Sequence, residues 1–326
     1  MKNDEETINQ SDIQKKPSMR RYIITAVIIA LLSVGFFAFW LLLWNPEYNS
    51  ASDTIIRQVV AKQLNKDPKN LTDMDFIKIT ELDLSRKKVT SIRFLSKLKN
   101  LQKLNLGYYS ISEAEAPKWM KILAKLGIYN LSERCVLDLR PLAKLPDFRS
   151  LDLKRAEIAK IKNLDKLKTL QELNLDGTKV IDIRMLKKLN KLKILNLIDT
   201  KVSDIKAIEA LAELETLNLS SSMISDIGPL RRLKKLKMLD LSYTPVSNIK
   251  PIEALTELET LYLNASVVSD LEPVKKLTML KKLYLKAQTP RFIQQVQIDD
   301  LRKALPNLDI IISRLRQGPM VDPIFR

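Results

Sequence analysis

Aspartates recurring at a fixed spacing are the residues of this sequence best placed to do chemistry: Asp138, Asp182, Asp204, Asp226 and Asp270, with Asn248 in the same register. Carboxylates in such a series could gather calcium, which takes about six to eight oxygens converging on one point. A ladder offering one side chain per step cannot converge in that way. Each Asp instead precedes a short return segment whose first backbone N–H groups need an acceptor, so capping is the expected role and no metal is expected. Acid–base and nucleophilic chemistry fare no better. The chain has no His and a single Cys, Cys135, which removes the commonest general base, CxxC pairs and Cys-based zinc cages. Its six glycines form neither GxGxxG nor GxxxxGK[ST]. Catalysis would rest on Asp, Glu, Lys, Ser or Tyr alone, and no pairing of these stands outside the repeat register. The expectation is a protein without catalysis and without a cofactor.

What positions the aspartates is a repeat of 22 residues. The segment 170–191, LQELNLDGTKVIDIRMLKKLNK, sets a pattern that returns at Leu192, Leu214, Leu236 and Leu258. Stepping back reaches Phe148, Leu126 and, ahead of a unit at 101–125 with three extra residues, Ile79. In the eight 22-residue units all seven apolar positions are apolar or aromatic, 56 of 56, so the pattern is a buried stripe and not a consequence of composition. Each unit reads as a short strand (Leu173-Asn174-Leu175), a turn, and a return segment carrying Ile183, Leu186 and Leu189. The fold class is an α/β solenoid of about ten units with a parallel β-sheet on its concave face. One unit alone cannot hold this shape: seven buried side chains at ~2 kcal/mol each fall short of ordering 22 residues at ~1.5 kcal/mol each.

Strand alternation turns Leu173 and Leu175 inward and Glu172, Asn174 and Asp176 toward the concave surface. The central column of that surface runs Asp83, Asn105, Asn130, Asp152, Asn174, Asn196, Asn218, Asp240, Tyr262 and Tyr284. Its one irregularity is the change from Asn/Asp to Tyr near the C-terminal end. Ile194, Ile198, Thr216, Met238, Tyr243 and Thr260 stand beside it. With Asn174, Asn196, Asn218, Asp240, Tyr262 and Tyr284 they form the candidate ligand-binding face, suited to a peptide or a sugar polymer. A plainer reading stays open, in which the polar column serves the turns and the tyrosines pack on a cap. Hydroxyls at Thr178, Thr200, Ser222, Thr244 and Ser266 are expected to satisfy turn backbone groups.

Both ends of the array carry caps. Ser52 or Asp53 is expected to start a helix with Ile55, Ile56, Val59, Val60 and Leu64 on its apolar face, and Thr72-x-x-Asp75 reads as a capping box. At the other end Ile293, Val296, Leu301 and Leu305 suggest a longer helix before a closing strand, Leu308–Ile312. Upstream, Tyr22 to Trp44 is a run of 23 uncharged residues, long enough as a helix to cross a ~30 Å hydrocarbon core and longer than the apolar region of a cleaved signal. The expected organisation is a cytoplasmic tail at 1–21, a transmembrane helix at 22–44, a linker at 45–52, a helical cap at 53–78, the solenoid at 79–312 and a tail at 313–326.

Orientation follows from the flanks. Lys15, Lys16, Arg20 and Arg21 precede the span, whereas Glu47 and Asp53 are the first charges after it, which keeps the N-terminus cytoplasmic and sends the rest across the inner membrane. Of the net charge of +17, the first 21 residues carry only +1. Basic clusters at Lys187-Lys188, Arg231-Arg232, Lys234-Lys235, Lys275-Lys276 and Lys281-Lys282 are either solvated or a stripe for anionic headgroups or another envelope polyanion. Nucleic acid is not an expected partner, because no stacking aromatics are interleaved with the clusters.

The LxxLxLxxTxVxDIxxL spacing, preceded by DTIIRQVVAKQLNKDPKNLTDMDFIKITELDLS, resembles bacterial leucine-rich repeats of the internalin-like, 22-residue class over about residues 53–312. The resemblance implies a horseshoe with helical caps that binds partners through variable concave residues. Two departures are evident: Thr or Ser replaces the Asn that usually closes the strand turn, and no LPxTG-type wall anchor is present. The expected function is that of a membrane-anchored binding or scaffold module, its solenoid on the non-cytoplasmic side. A protein is the first-choice partner, with envelope polysaccharide or lipid headgroups as further candidates. The alternative is a cytoplasmic, membrane-tethered adaptor regulating a partner enzyme such as a phosphatase.

Overall fold

The computed structural model describes residues 46–87, 89, 91–109, 136–286 and 295–313. The chain divides into two units, Met1–Ser50 and Ala51–Arg326. Of the first, only residues 46–50 are described, and they are helical. The expected cytoplasmic tail, the span at 22–44, Asn130, Cys135 and the tail beyond Ser313 lie outside the described residues. Among the described residues no helix is long and apolar enough to cross a membrane.

The second unit is a stack of leucine layers. Parallel strands β1 (Glu81–Asp83), β2 (Lys103–Asn105), β4 (Ser150–Asp152), β6 (Glu172–Asn174), β7 (Ile194–Asn196), β8 (Thr216–Asn218), β9 (Met238–Asp240), β10 (Thr260–Tyr262), β11 (Lys282–Lys286) and β12 (Asp309–Ser313) form one ten-stranded sheet in that order. The period sets the register: Leu173 lies opposite Leu195, Leu195 opposite Leu217 and Leu217 opposite Leu239. The core is the file of these leucines with the Val, Ile and Leu of the return segments, nearly all inaccessible to solvent. Return segments such as Arg184–Lys188 and Lys206–Ala210 are single 3₁₀ turns, as a spacing of three apolar residues requires.

One stretch departs from the expected count. β2 pairs directly with β4, Leu104 opposite Leu151, so the units expected at 101–125 and 126–147 supply one strand of this sheet among the described residues. The sheet therefore holds nine repeat strands and one closing strand. The return part of the segment survives: β3 (Val136–Asp138) pairs in parallel with β5 (Lys160–Lys162), apart from the main sheet.

Helix α1 (Pro46–Gln63) starts earlier than expected, so most of the anticipated linker is helical; proline is well suited to a first helical turn. Ser52 is consequently no cap. It is buried, and its Oγ accepts the Ser91 N–H at 3.1 Å, tying α1 to the first repeat beside Ile56 and Val60. Asn65, at φ +53°, ends the helix in the left-handed conformation. The short helix α2 (Asp73–Ile77) opens on the expected box, with the Thr72 N–H donating to Asp75 Oδ2 at 3.0 Å. Buried Asp75 also receives Lys66 Nζ at 2.8 Å and Lys78 Nζ at 3.3 Å. At the far end α3 (Gln295–Ala304) buries Ile298 and Leu301, whereas Val296, expected inside, is exposed.

After eight of the strands, β1, β2, β4 and β6 to β10, the chain turns through a left-handed residue. Gly177 takes this position once; elsewhere it falls to Arg86, Tyr108, Arg155, Asp199, Ser221, Tyr243 and Ala265. A side chain there costs roughly 1–2 kcal/mol, against ~0.5–1 kcal/mol for the extra chain freedom of glycine. Ala265→Gly is therefore expected to stabilise the protein by about 0.5–1 kcal/mol in urea titrations. Gly177→Ala should destabilise it, since its Cβ would stand 2.9 Å from Arg155 Cγ at φ +66°.

The hydrogen bond from Lys66, followed by that from the Thr72 N–H, holds the Asp75 carboxyl far below the usual carboxylate range. A depressed folded-state pKa stabilises above the unfolded value, near ~3.9, and the contribution is lost as pH falls below it. Asp75→Asn should accordingly lower the melting temperature at pH 7, and the gap to wild type should narrow steadily as pH falls below ~4. A gap that stayed constant with pH would show that Asp75 acts through shape and not charge.

Candidate binding face of the sheet

The polar column on the sheet is, over most of its length, part of the backbone's own hydrogen bonding. Asn174 Oδ1 accepts the Asp176 N–H at 3.0 Å, Asn196 that of Ile198 at 3.0 Å, Asn218 that of Ser220 at 2.9 Å and Asp240 that of Ser242 at 2.8 Å. Asp83, Asn105 and Asp152 repeat the same bond with Ser85, Gly107 and Lys154. Each is an Asx turn that closes the strand end. One layer deeper the hydroxyls of Thr178, Thr200, Ser222, Thr244 and Ser266 donate to the carbonyl three residues back, at 2.6–2.9 Å. These buried hydroxyls fill the role expected of them.

Register brings the predicted residues into two adjacent rows. Ile194, Thr216, Met238 and Thr260 lie side by side, as do Asn174, Asn196, Asn218, Asp240, Tyr262 and Tyr284. Their accessibility divides them. Asn174, Asn196, Asn218, Asp240, Thr216 and Met238 are buried. Ile194, Ile198, Thr260, Tyr262 and Tyr284 are half-buried, and Tyr243 is exposed at the left-handed turn position. Asn174, Asn196 and Asn218 are therefore scaffold, and Tyr262 and Tyr284 are the half-buried members of the central column beyond them.

There the Asx ladder stops and Tyr262 and Tyr284 stack, ring centroids 4.3 Å apart and planes within 12°. The tyrosines stand side by side in the sheet row itself. Ile311 of β12 continues the row opposite Tyr284, while Lys282 and Asp309 continue its neighbour. Sequence reasoning had found the closing strand but left Ile311 out; alternation within Leu308–Ile312 was the available signal. The platform is an apolar and aromatic centre, Tyr262–Tyr284–Ile311, with Thr260, Asn264 and Lys282 beside it.

Charges elsewhere are largely consumed internally. Lys193, Glu215, Lys237, Glu259 and Lys281 alternate in sign at one edge of the sheet, with Glu215 3.3 Å from Lys193 and 3.0 Å from Lys237, and Lys281 2.7 Å from Glu259. Lys188 pairs with Asp165, Lys235 with Glu213 and Lys275 with Glu272, while Lys234 donates to the Ala254 carbonyl. The basic clusters are thus partly neutralised. The recurrent aspartates cap as expected: Asp138, Asp182, Asp204, Asp226, Asn248 and Asp270 each accept the N–H two residues on at 2.8–3.0 Å. Among the described residues no group of three or more His, Cys, Asp or Glu side chains is placed to hold a metal ion.

A family model for leucine-rich repeats, two copies long, matches residues 212–256 and 234–276. Among solved structures the fold is similar to the internalin inlF of Listeria monocytogenes, at 23% identity over 79% of this chain and 75% of that one, with a TM-score of 0.57. It is also similar to internalin C2 of the same organism (23% identity, 71% and 92% covered, TM-score 0.55). A leucine-rich repeat protein of Leptospira interrogans matches as well (22% identity, 73% and 62% covered, TM-score 0.56). No curated protein matches the sequence significantly. The chain is a leucine-rich repeat protein with an internalin-like fold.

One carboxylate on the face is out of keeping with its site. Burial pushes the Asp152 carboxyl above its usual value, against the opposing hydrogen bonds from the Lys154 N–H and the Asn174 side chain. A raised folded-state pKa means that ionisation works against folding once pH exceeds the unfolded value. Asp152→Asn, which extends the neighbouring asparagine ladder, should therefore raise the melting temperature by roughly 1–2 °C at pH 7 and lose that advantage below pH ~3.

Proposed function

We propose that this protein is a membrane-anchored, non-catalytic scaffold that displays its repeats on the non-cytoplasmic side and binds a protein partner at the C-terminal end of the sheet. The observation carrying the binding site is the Tyr262–Tyr284 stack. Upstream on the same row each described polar group accepts a turn N–H, and the four nearest, Asn174 to Asp240, are buried, whereas here two half-buried rings stand where those groups end. Tyrosine offers a large apolar area with a polar tip at small cost in side-chain freedom, which suits protein recognition. The uncharged run at 22–44 and its basic leading flank support anchoring and orientation.

Two measurements test this reading in intact cells. With Cys135 replaced by Ser, Lys187→Cys on an exposed return segment should react with a membrane-impermeant maleimide before lysis. Labelling only after lysis would place the repeats in the cytoplasm and replace this reading with the enzyme-regulating adaptor. A photo-crosslinking amino acid at Tyr284 should yield a discrete protein adduct, absent when the same group replaces Lys250, and Tyr262→Ala should reduce it about tenfold. An adduct that is removed by glycosidase and resists protease would identify a polysaccharide partner instead.

A further inference from the structure

The left-handed turn residues of the first three layers form a row. The Arg86 N–H donates to the Gly107 carbonyl at 3.0 Å and the Tyr108 N–H to the Lys154 carbonyl at 2.7 Å. Arg86, Tyr108 and Arg155 therefore follow one another on strands spaced ~4.8 Å apart. The Arg86 guanidinium lies over the Tyr108 ring, 4.7 Å from its centroid, and Tyr108 is 38% exposed. Arg155 is exposed and lies across Gly177, where a Cβ would stand 2.9 Å from Arg155 Cγ. Hydrogen bonding from Arg86, joined by the charges of Arg155 and Lys154, holds the Tyr108 hydroxyl below its usual value despite some desolvation.

This row differs from the later basic clusters in leaving its cations unanswered. Lys188 and Lys235 are paired with Asp165 and Glu213, whereas neither Arg86 nor Arg155 forms an ion pair among the described residues. The carboxylates of the same turns are engaged elsewhere. Asp83 and Asp152 accept the Ser85 and Lys154 N–H groups, and Asp176 takes Lys154 Nζ at 3.1 Å. Two guanidiniums on either side of a tyrosine suit phosphate oxygens, which accept the planar fork in pairs, and the phenol adds an amphipathic ring of the kind that favours a membrane–water boundary. We propose that Arg86, Tyr108 and Arg155 bind the phosphates of anionic lipid headgroups and hold the first layers of the solenoid at the membrane surface. The choice of lipid rests on the anchoring proposed above for the run at 22–44. Chain connectivity then supplies proximity. Eight residues separate Trp44 from Ser52, at most about 28 Å when extended, and Ser52 is bonded to Ser91, five residues past Arg86.

Full-length protein reconstituted into vesicles provides the test. With Cys135 replaced by Ser, Lys87→Cys carries a fluorophore beside Arg86, and a lipid with a nitroxide on its headgroup quenches the fluorophore on contact with the surface. Quenching should be about threefold stronger in vesicles of phosphatidylcholine with phosphatidylglycerol than in phosphatidylcholine alone, and should weaken at about 0.5 M salt. A fluorophore at Lys250→Cys, in a late layer, should show no such difference. Arg86→Ala with Arg155→Ala should abolish the phosphatidylglycerol effect at Lys87 without changing the melting temperature, since both side chains are exposed. Lys187→Ala with Lys188→Ala removes the same charge in a later layer and should leave the effect intact. Protein retained in the bilayer but quenched equally in both lipids, or quenched as strongly without the two arginines, would overturn the proposal and leave the anchoring standing. Protein released from the vesicles by alkaline carbonate would overturn both.

Discussion

A buried side-chain oxygen accepting the backbone N–H two residues further on closes strand after strand in this protein, and the solenoid depends on it. A three-residue strand cannot satisfy the turn that follows, and an unpaired N–H buried between layers costs roughly 1–3 kcal/mol. Asn174, Asn196, Asn218 and Asp240 remove that cost layer by layer. The Ser/Thr hydroxyls then satisfy the carbonyl on the inner side. With both groups answered, the leucines of successive layers can approach at strand spacing and exclude water. The same arrangement forces a left-handed residue into each turn, which the fold accepts even as tyrosine or arginine.

This economy has a functional consequence. A side chain spent on the turn cannot also bind a ligand, so most of the polar column is withdrawn from recognition although it lies on the sheet surface. The charged residues behave alike: the alternating Lys/Glu ladder at the sheet edge answers its own charges between neighbouring layers. Exposed pairs of this kind contribute little to stability, and they neutralise part of the basic surface of a chain whose net charge is +17. The positions where the repeat is broken are the ones whose side chains are not committed to a turn in this way, which is why the proposed site is placed there.

That division explains what could be read from the sequence. The fold, the strand register, the capping aspartates, the hydroxyl column and the Thr72–Asp75 box were legible because each is a local rule repeated or a local motif. The direct pairing of β2 with β4 was not, since the period predicts a sheet strand for every unit and only the register of Leu104 against Leu151 shows otherwise. Likewise Asn and Asp on an outward-facing position read as available groups, and only the bonds to Asp176, Ile198 and Ser220 reveal that they are occupied. The start of α1 was misplaced because Pro46, a helix breaker in most contexts, is acceptable in a first turn.

The two ends of the array are finished by opposite physics. At the N-terminal end α1 and α2 cover the first layer, and a carboxylate buried under two lysines fixes their geometry. At the C-terminal end α3 covers the return side, but the sheet side runs out in a strand of three isoleucines beside two stacked tyrosines. A cap whose only task was to seal the core would place its charge at the open edge and its apolar groups inside. Here the aromatic pair and the longest described strands coincide within one region, at the edge with which no described strand pairs. The same two layers thus hold both departures from the repeat, the stacked tyrosines and the lengthened strands.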